Sequence, residues 1–582
     1  MLSIGEGTFL RDGIPHQIIG GAIHYFRIDP SLWRDRLARL LALGLNTVET
    51  YVPWNFHERA RGTFDFSGPR DLAGFVTLAG DLGLDVVVRP GPYICAEWDF
   101  GGLPAYLVTE PMHLRTRDPR WLAHVDRWLD AVVPVIAPLQ STRGGPAVAV
   151  QVENEYGSFG SDKEYLEHVR AGLFGRGIDV LLFTTDGGGP DWQANGTLPG
   201  VLSTATFGSR VEESFRHLRA VQPDGPDTCM EFWNGWFDHW GEQHHTRDAS
   251  EAAAVLAEIL ARGASVNLYM AHGGTNFGLW SGCNQADGKL QPTVTSYDYD
   301  AAVGEAGELG AKFDAFRAVI ARHTGVTPPE PPPLPARLAP AASGITGWAA
   351  LLDHLDLFDD PVTAPHPVWQ EDLGADHGLV HHRGTTWVPP EGRDLVLVDV
   401  RDRATVLVDG THRRTFDRND GEARLPVLPR PDGTPIEVDI VVENQGRTNF
   451  GPGLGERKGL GGVRLGDRWV HGWSSRALRI DTDGWTDGVR WASRPPRTQG
   501  PVLARTTIEV DAPADGFLAL PGWGKGFVWL NGRLLGRYWG VGPQVTLYAP
   551  GAWWRVGTNE VVVCEMLLPG ERIEVRDVPD LG

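Results

Sequence analysis

The first 325 or so residues repeat one local pattern, in which a short β-branched or apolar run precedes an amphipathic helical stretch. Such alternation is the signature of βα units around a parallel sheet. Eight units can be counted, and this number fits a closed (β/α)8 TIM barrel, whose active site would lie at the carboxyl ends of the strands. The predicted strands cover residues 18–26, 45–52, 84–94, 146–153, 180–186, 201–207, 227–233 and 265–271.

Seven of the connections contain a plausible helix. The connection after Asp186 is rich in glycine and proline, and we predict that it is mostly loop. An open doubly wound sheet is the alternative architecture, but no GxGxxG motif follows the first strand to open a dinucleotide site. The barrel is therefore the preferred prediction for residues 1–325.

A proline-rich stretch, GVTPPEPPPLPARLAPAA, ends the βα pattern, and residues 326–342 are predicted to be a stiff linker. Short strands bounded by Gly, Asp and Asn follow, which indicates all-β structure. ATVLVDGTHRRTF (404–416) resembles GFVWLNGRLLGRY (526–538), and each predicts a hairpin followed by a further strand. Two related β-sandwich domains, residues 343–490 and 491–582, are the simplest account.

Charge and composition limit the partners of this chain. Lys and Arg number 53 against 74 Asp and Glu, and the net charge of -21 argues against a nucleic-acid or anionic-membrane partner. No segment approaches the roughly 18 uninterrupted apolar residues of a membrane helix, and MLSIGEGTFLRDG does not read as an export signal. Four scattered cysteines do not form a disulfide scaffold. We therefore expect a soluble, cytoplasmic protein.

Glutamates stand at the predicted carboxyl ends of several barrel strands. Glu153 and Glu155 end the fourth strand, Glu231 lies in the seventh, and Glu97 follows the third. A single glutamate at such a place is more often solvated or salt-bridged than catalytic. Several on one rim, flanked by Trp and Tyr, suit glycoside hydrolysis, because two carboxyl groups perform the reaction and sugars stack on aromatic rings.

Six ordered motifs resemble those of family 35 of the glycoside hydrolases, the lysosomal-type β-galactosidases. They are GGAIHYFR, YVPWNFHE, RPGPYICAEWDFGGLP, QVENEYGSFG, NLYMAHGGTNFG and TSYDYDA. The segment GWGKGFVWLNGRLLGRYWGVGPQVTLYAPG is similar to the C-terminal β-domain signature of the same family. The resemblance implies a TIM barrel followed by two all-β sandwich domains of the jelly-roll or galactose-binding type.

The resemblance also implies roles for individual residues. Glu155 matches the proton donor, Asn154 the residue that grips the sugar 2-hydroxyl, and Glu231 the nucleophile. Glu153 is then expected to lie deeper and to be satisfied by buried partners. Galactose recognition maps onto Tyr51, Cys95, Ala96, Glu97, Asn154, Tyr269, Tyr297 and Tyr299, and Trp233 and Trp236 are expected to wall the leaving-group side. The histidines show no metal-ligand spacing, and neither a metal nor another cofactor is implied.

The sequence therefore predicts a retaining exo-β-galactosidase that removes terminal β-linked galactose from a galactoside, with β1,3 linkages favoured. An exo-β-glucosaminidase on the same fold is one alternative, and a non-catalytic sugar-binding protein is another. Phe450, in ENQGRTNFGPGL, is expected either to complete the leaving-group site or to make a plain interdomain contact. The family suggests a homodimer.

Overall fold

A computed structural model describes residues 1–496 and 500–582. Its first part is a closed barrel of eight parallel strands. Strands that follow one another in the chain are also neighbours in the barrel, and the seventh strand, for example, pairs with the sixth and the eighth. The strands are Ile19–Ile23, Thr47–Tyr51, Asp85–Arg89, Ala147–Gln151, Leu181–Gly187, Leu202–Phe207, Thr228–Trp233 and Ser265–His272. All eight predicted strands are confirmed, with ends that differ by a few residues.

A helix follows every barrel strand. The helices are Trp33–Leu43, Leu72–Asp81, Pro119–Ile136, Lys163–Gly175, Pro190–Gly196, Val211–Val221, Ala249–Ala261 and Ala311–Thr324. The prediction that the connection after Asp186 is mostly loop was wrong, because Pro190 begins a helix there. Proline is favourable at the first helical position, where its missing N–H has no partner to lose.

An antiparallel meander at the chain start, Leu2–Gly5, Thr8–Arg11 and Ile14–His16, covers one end of the barrel. Leu2 and Phe9 pack with Leu181 and Leu202, the residues that begin the fifth and sixth strands. The amino-terminal end of the barrel is therefore closed by apolar packing. The opposite end, where the strands finish, is left for a site.

The first all-β domain is a sandwich of two sheets around one apolar core. The six-stranded sheet contains Val362–Ala364, Trp473–Leu478, Leu379–Thr386, Ile436–Glu443, Arg403–Val408 and Thr411–Asp417, in that order. The other sheet contains Ala423–Val427, Arg393–Arg401, Gly459–Leu465 and Arg468–Trp469. The predicted hairpin and its following strand are adjacent in the larger sheet.

The last domain is a second sandwich with its own core. One sheet contains Gly347–Ala350, Val502–Val510, Gly557–Glu565, Lys525–Leu530 and Arg533–Trp539, and the other Ala341–Gly344, Arg572–Arg576, Gly516–Ala519 and Thr546–Ala549. The second repeat has the same hairpin-plus-strand arrangement as the first. The strands Ala341–Gly344 and Gly347–Ala350 thus belong to the sheets of this last domain. The predicted domain boundary at residue 343 instead places most of their residues in the first all-β domain.

A small sheet joins the barrel to the first all-β domain. Cys283–Ala286 and Lys289–Pro292 form a hairpin beyond the last barrel strand, and Thr448–Phe450 adds a parallel strand to it. This connection brings residues of the first all-β domain to the carboxyl ends of the barrel strands.

Candidate active site

A cavity of about 260 Å³ opens at the carboxyl ends of the barrel strands. It contains every predicted site residue except Tyr297, together with four that sequence reasoning missed and Phe450. The lining consists of Tyr51, Cys95, Ala96, Glu97, Asn154, Glu155, Ser158, Trp192, Glu231, Trp233, Trp236, Phe237, Tyr269, Asn284, Tyr299 and Phe450. The missed residues are Ser158, Trp192, Phe237 and Asn284.

Glu231 lies in the seventh barrel strand, only 5% exposed, and three donors converge on its carboxylate. Tyr51 donates its hydroxyl over 2.8 Å and Arg89 its Nη2 over 2.7 Å, both to Oε1. The indole of Trp233 donates to Oε2 over 3.2 Å. Charge-assisted bonds of this kind favour an ionised carboxylate held in one orientation, which is what a nucleophile requires.

Arg89 lies behind the cavity lining, and the sequence analysis did not predict it as a site residue. Its guanidinium is fully buried and bridges Glu231 and Asn154, whose Oδ1 accepts from Nη2 over 2.6 Å. Nη1 lies 3.6 Å from the fully buried carboxylate of Glu49. One cation thus fixes two cavity side chains at once. The sequence signals were the position of Arg89 at the end of the apolar strand Asp85–Arg89 and its place as the first residue of the motif RPGPYICAEWDFGGLP.

Glu155 lies on the same cavity, just before the short helix Tyr156–Phe159. Its carboxyl group accepts a hydrogen bond from the Thr206 hydroxyl over 3.1 Å. Burial raises the pKa of Glu155 to about 8, and the nearby negative charge of Glu231 adds to the shift. Glu155 is therefore protonated at neutral pH and can donate a proton to a group bound in the cavity.

Glu153 has a different environment, although it is only two residues away. It is fully buried, lies outside the cavity lining, and accepts a fork of bonds from Arg115 at 2.8 and 2.7 Å. The Tyr165 hydroxyl donates to the same carboxylate over 3.1 Å. The prediction that Glu153 lies deeper and is satisfied by buried partners is confirmed.

Glu97 belongs to the buried part of the cavity wall, and burial raises its pKa to about 7. Tyr297 donates its hydroxyl to Glu97 over 2.5 Å. Tyr297 is fully buried and does not line the cavity, so the prediction that it contacts the sugar needs correction. It lies behind Glu97 and orients that carboxyl group, while Tyr269 and Tyr299 face the cavity themselves.

Several cavity residues have left-handed backbone conformations that side chains disfavour. Cys95, Ala96 and Glu97 have φ of 58°, 56° and 47°, and Glu155 and Tyr299 have φ of 43° and 64°. Each such residue costs roughly 1–3 kcal/mol, and such strain clusters where a site must hold a fixed geometry. The surrounding packing therefore imposes the shape of this wall.

One group of possible metal ligands stands outside the cavity, within the part of the chain that the structure describes. It consists of Asp376, His377 and Asp481. Arg59 already donates to both aspartates, at 2.7 and 2.5 Å, so a cation occupies the position a metal would take. Across residues 1–496 and 500–582, no helix combines the length and apolar character that crossing a membrane requires.

Comparison with known protein families finds a match for the barrel and for each of the two all-β domains. The model described as glycosyl hydrolases family 35 matches residues 8–323, which is the barrel. The first all-beta domain of beta-galactosidase matches residues 367–479. The galactose-binding domain of beta-galactosidase matches residues 501–559.

Known proteins resemble the chain over nearly its whole length. A beta-galactosidase of Xanthomonas manihotis is 43% identical over 566 residues, covering 95% of this chain and 92% of the relative. The human beta-galactosidase-1-like protein 3 is 39% identical over 589 residues, covering 99% and 88%. A beta-galactosidase of Bos taurus is 39% identical over 593 residues, covering 96% and 89%. The similarity thus extends over barrel and β-domains alike.

Proposed function

We propose that this chain, which belongs to family 35 of the glycosyl hydrolases, is a retaining exo-β-galactosidase. The observation that carries the proposal is the pairing of unlike carboxyl groups on one cavity. Burial and the neighbouring Glu231 raise the pKa of Glu155 to about 8, whereas Arg89 and Tyr51 donate hydrogen bonds that fix the Glu231 carboxyl group in one orientation. Such a pair supplies the acid and the nucleophile of glycoside hydrolysis.

In the first step, Glu231 attacks the anomeric carbon of galactose while Glu155 gives its proton to the departing oxygen. A galactosyl ester forms on Glu231, and the glycosidic bond breaks. Glu155 is then a carboxylate and takes a proton from water, which attacks the ester and releases β-galactose. Asn154, fixed by Arg89, lies where it can grip a sugar hydroxyl during both steps.

The shape of the cavity supports exo action on terminal galactose. Buried groups line its inner part, including Tyr51, Glu97 and Tyr299, each below 10% exposed. A single sugar fits a closed inner wall of hydroxyl and carboxyl groups. The similar proteins of Xanthomonas manihotis and Bos taurus are beta-galactosidases, which supports galactose as that sugar.

Preference for β1,3 linkages is part of the same proposal. Trp233 and Trp236 have rings 5.7 Å apart, nearly perpendicular to one another, at the outer part of the cavity. Two crossed indoles narrow the space available to the leaving sugar and thereby select among linkages. A panel of β1,3-, β1,4- and β1,6-linked galactosyl disaccharides tests this preference, and equal rates on all three would refute it.

We also propose that the enzyme acts in the cytoplasm as a homodimer. All four cysteines are free and buried, which suits a reducing compartment. Cell fractionation tests the location, and light scattering of the purified protein tests the oligomeric state.

The experiment that tests the proposed activity compares nitrophenyl β-galactoside with nitrophenyl β-glucosaminide. We expect much faster release from the galactoside. Faster release from the glucosaminide would replace the proposal by an exo-β-glucosaminidase. Binding of galactose without turnover of either substrate would instead indicate a non-catalytic sugar-binding protein.

A further inference from the structure

The cavity wall has an inner and an outer part that differ in exposure. The inner groups are almost completely buried, whereas the outer aromatic side chains of Trp192, Trp236 and Phe450 are 46%, 39% and 45% exposed. These three come from three separate places in the chain: the connection after the fifth strand, the segment after the seventh, and the first all-β domain. Half-exposed aromatic rings at the mouth of a site can stack on a sugar without giving up all contact with water.

Trp192 lies on the helix Pro190–Gly196, and two glycines allow the close approach of this helix. A Cβ at Gly187 would lie 2.1 Å from the indole of Trp192, so the ring rests directly on the backbone there. A Cβ at Gly157 would lie 1.9 Å from the Trp192 carbonyl oxygen. Gly157 is two residues beyond Glu155, so the helix packs against the segment that carries the proton donor.

Buried hydrogen bonds fix this arrangement. The side chain of Gln193, 1% exposed, donates to the carbonyl oxygens of Asp186 and Thr204 over 2.9 and 3.2 Å. The Gly157 N–H donates to Asp186 Oδ1 over 2.7 Å. Trp192 therefore keeps a constant position relative to Glu155, although half of its side chain is open to solvent.

We propose that Trp192 is a specificity-determining residue, a stacking platform for the sugar unit that follows the terminal galactose. The proposal rests on the proposed function, because it uses Glu155 as the acid. An acid must lie beside the oxygen that joins galactose to the leaving group, and Trp192 is the aromatic side chain anchored to the acid's own segment. The substrate class is a β-galactosyl oligosaccharide whose second sugar presents an apolar C–H face.

The test compares a β-galactosyl disaccharide with methyl β-galactoside, which lacks a second ring. For W192A, we expect kcat/KM on the disaccharide to fall about fivefold to tenfold more than on the methyl galactoside, because stacking on an indole is lost. W192F retains an aromatic face and should recover most of the difference. W192L keeps an apolar side chain without that face, and it replaces W192A if the alanine variant does not fold.

Trp469 provides the matched control, since it has the same exposed fraction of 46% but lies on the first all-β domain, outside the cavity lining. W469A should leave the ratio of the two substrates unchanged. If the ratio of kcat/KM on the two substrates is unchanged in both W192A and W192L, the proposed role of Trp192 is wrong. A wild-type enzyme that hydrolyses neither the disaccharide nor methyl β-galactoside would contradict the proposed function itself.

Discussion

At the scale of single residues, the account depends on the different environments of two glutamates. Burial and the charge of Glu231 both raise the pKa of Glu155, while the hydroxyl of Thr206 opposes them by stabilising the carboxylate. Thr206 lies opposite Glu231 in the pairing of the sixth and seventh strands. The strand register therefore places one hydroxyl where it moderates the acid.

A pH profile of the T206V variant tests this arrangement. The acid must be protonated, so kcat/KM on a disaccharide should fall as pH rises through about 8 in the wild type. Removing the Thr206 hydrogen bond destabilises the carboxylate, and the alkaline limb should move to higher pH. A limb that does not move, or that moves to lower pH, would contradict the assignment of the acid to Glu155.

The sequence could predict Glu155 because it lies in the motif QVENEYGSFG at a strand end, and Glu231 because it lies in a predicted barrel strand and matches the nucleophile of the family. It could not predict Arg89 or Thr206 as parts of the site. Both stand in short strands whose residues are all buried or nearly so, and an inward-facing threonine is common in any sheet. Which of them reaches the cavity depends on strand register across the closed barrel, which is a non-local property.

At the scale of elements, the strand Thr448–Phe450 links domain organisation to the site. Its pairing places Thr448 opposite Cys283 and Phe450 opposite Asn284. Asn449 donates its Nδ2 to Asn284 Oδ1 over 3.1 Å, and Tyr93 donates to the Asn449 carbonyl oxygen. The strand is thus fixed to the barrel on both sides, with the side chain of Phe450 at the cavity mouth.

For F450A, we expect hydrolysis of a disaccharide to weaken about fivefold more than hydrolysis of nitrophenyl β-galactoside, because an aromatic contact with the leaving sugar is lost. The comparison is made as kcat/KM on both substrates. Trp387, 69% exposed on the same domain and outside the cavity lining, provides the control W387A. Losses of equal size on both substrates would leave Phe450 only an interdomain packing role.

The elements differ in how far local patterns determine them. The eight barrel strands and both hairpin repeats are encoded by apolar runs and turn residues, and they were predictable for that reason. The strands Ala341–Gly344 and Gly347–Ala350 were not, because their partners, Arg572–Arg576 and Val502–Val510, lie more than 150 residues away. The helix Pro190–Gly196 was obscured by its glycine-rich surroundings.

At the scale of the whole molecule, an ionic cluster around the buried His377 connects the barrel to the first all-β domain. His377 lies 3.2 Å from Asp99 of the barrel and 3.6 Å from Asp481, and Arg59 donates to Asp376 and Asp481. Burial opposes the charged imidazole, but Asp376 and Asp99 outweigh it and raise the pKa of His377 to about 9. Asp99 follows the Glu97 turn by two residues, so the cluster also supports the cavity wall.

Because the pKa of His377 is higher in the folded protein than its ordinary value near 6.5, the cluster should stabilise the fold fully below about pH 6.5. The contribution, up to about 3 kcal/mol, should disappear as pH rises through about 9. The measurement is Tm against pH for the wild type and H377N. The two curves should converge at alkaline pH, and a constant separation would show that the imidazolium charge is not what stabilises the interface.

The central claim is that Glu155 is the acid and Glu231 the nucleophile of a retaining enzyme, and azide rescue tests it most directly. Glu155→Ala should nearly abolish disaccharide hydrolysis yet keep galactosylation by dinitrophenyl β-galactoside, whose leaving group needs no proton. Azide should restore turnover of this variant and give β-galactosyl azide. Glu231→Ala should hydrolyse neither substrate, and with added azide it should give α-galactosyl azide. Equal loss of both substrates in Glu155→Ala without azide rescue, or α-galactose as the first product of the wild type, would contradict the account.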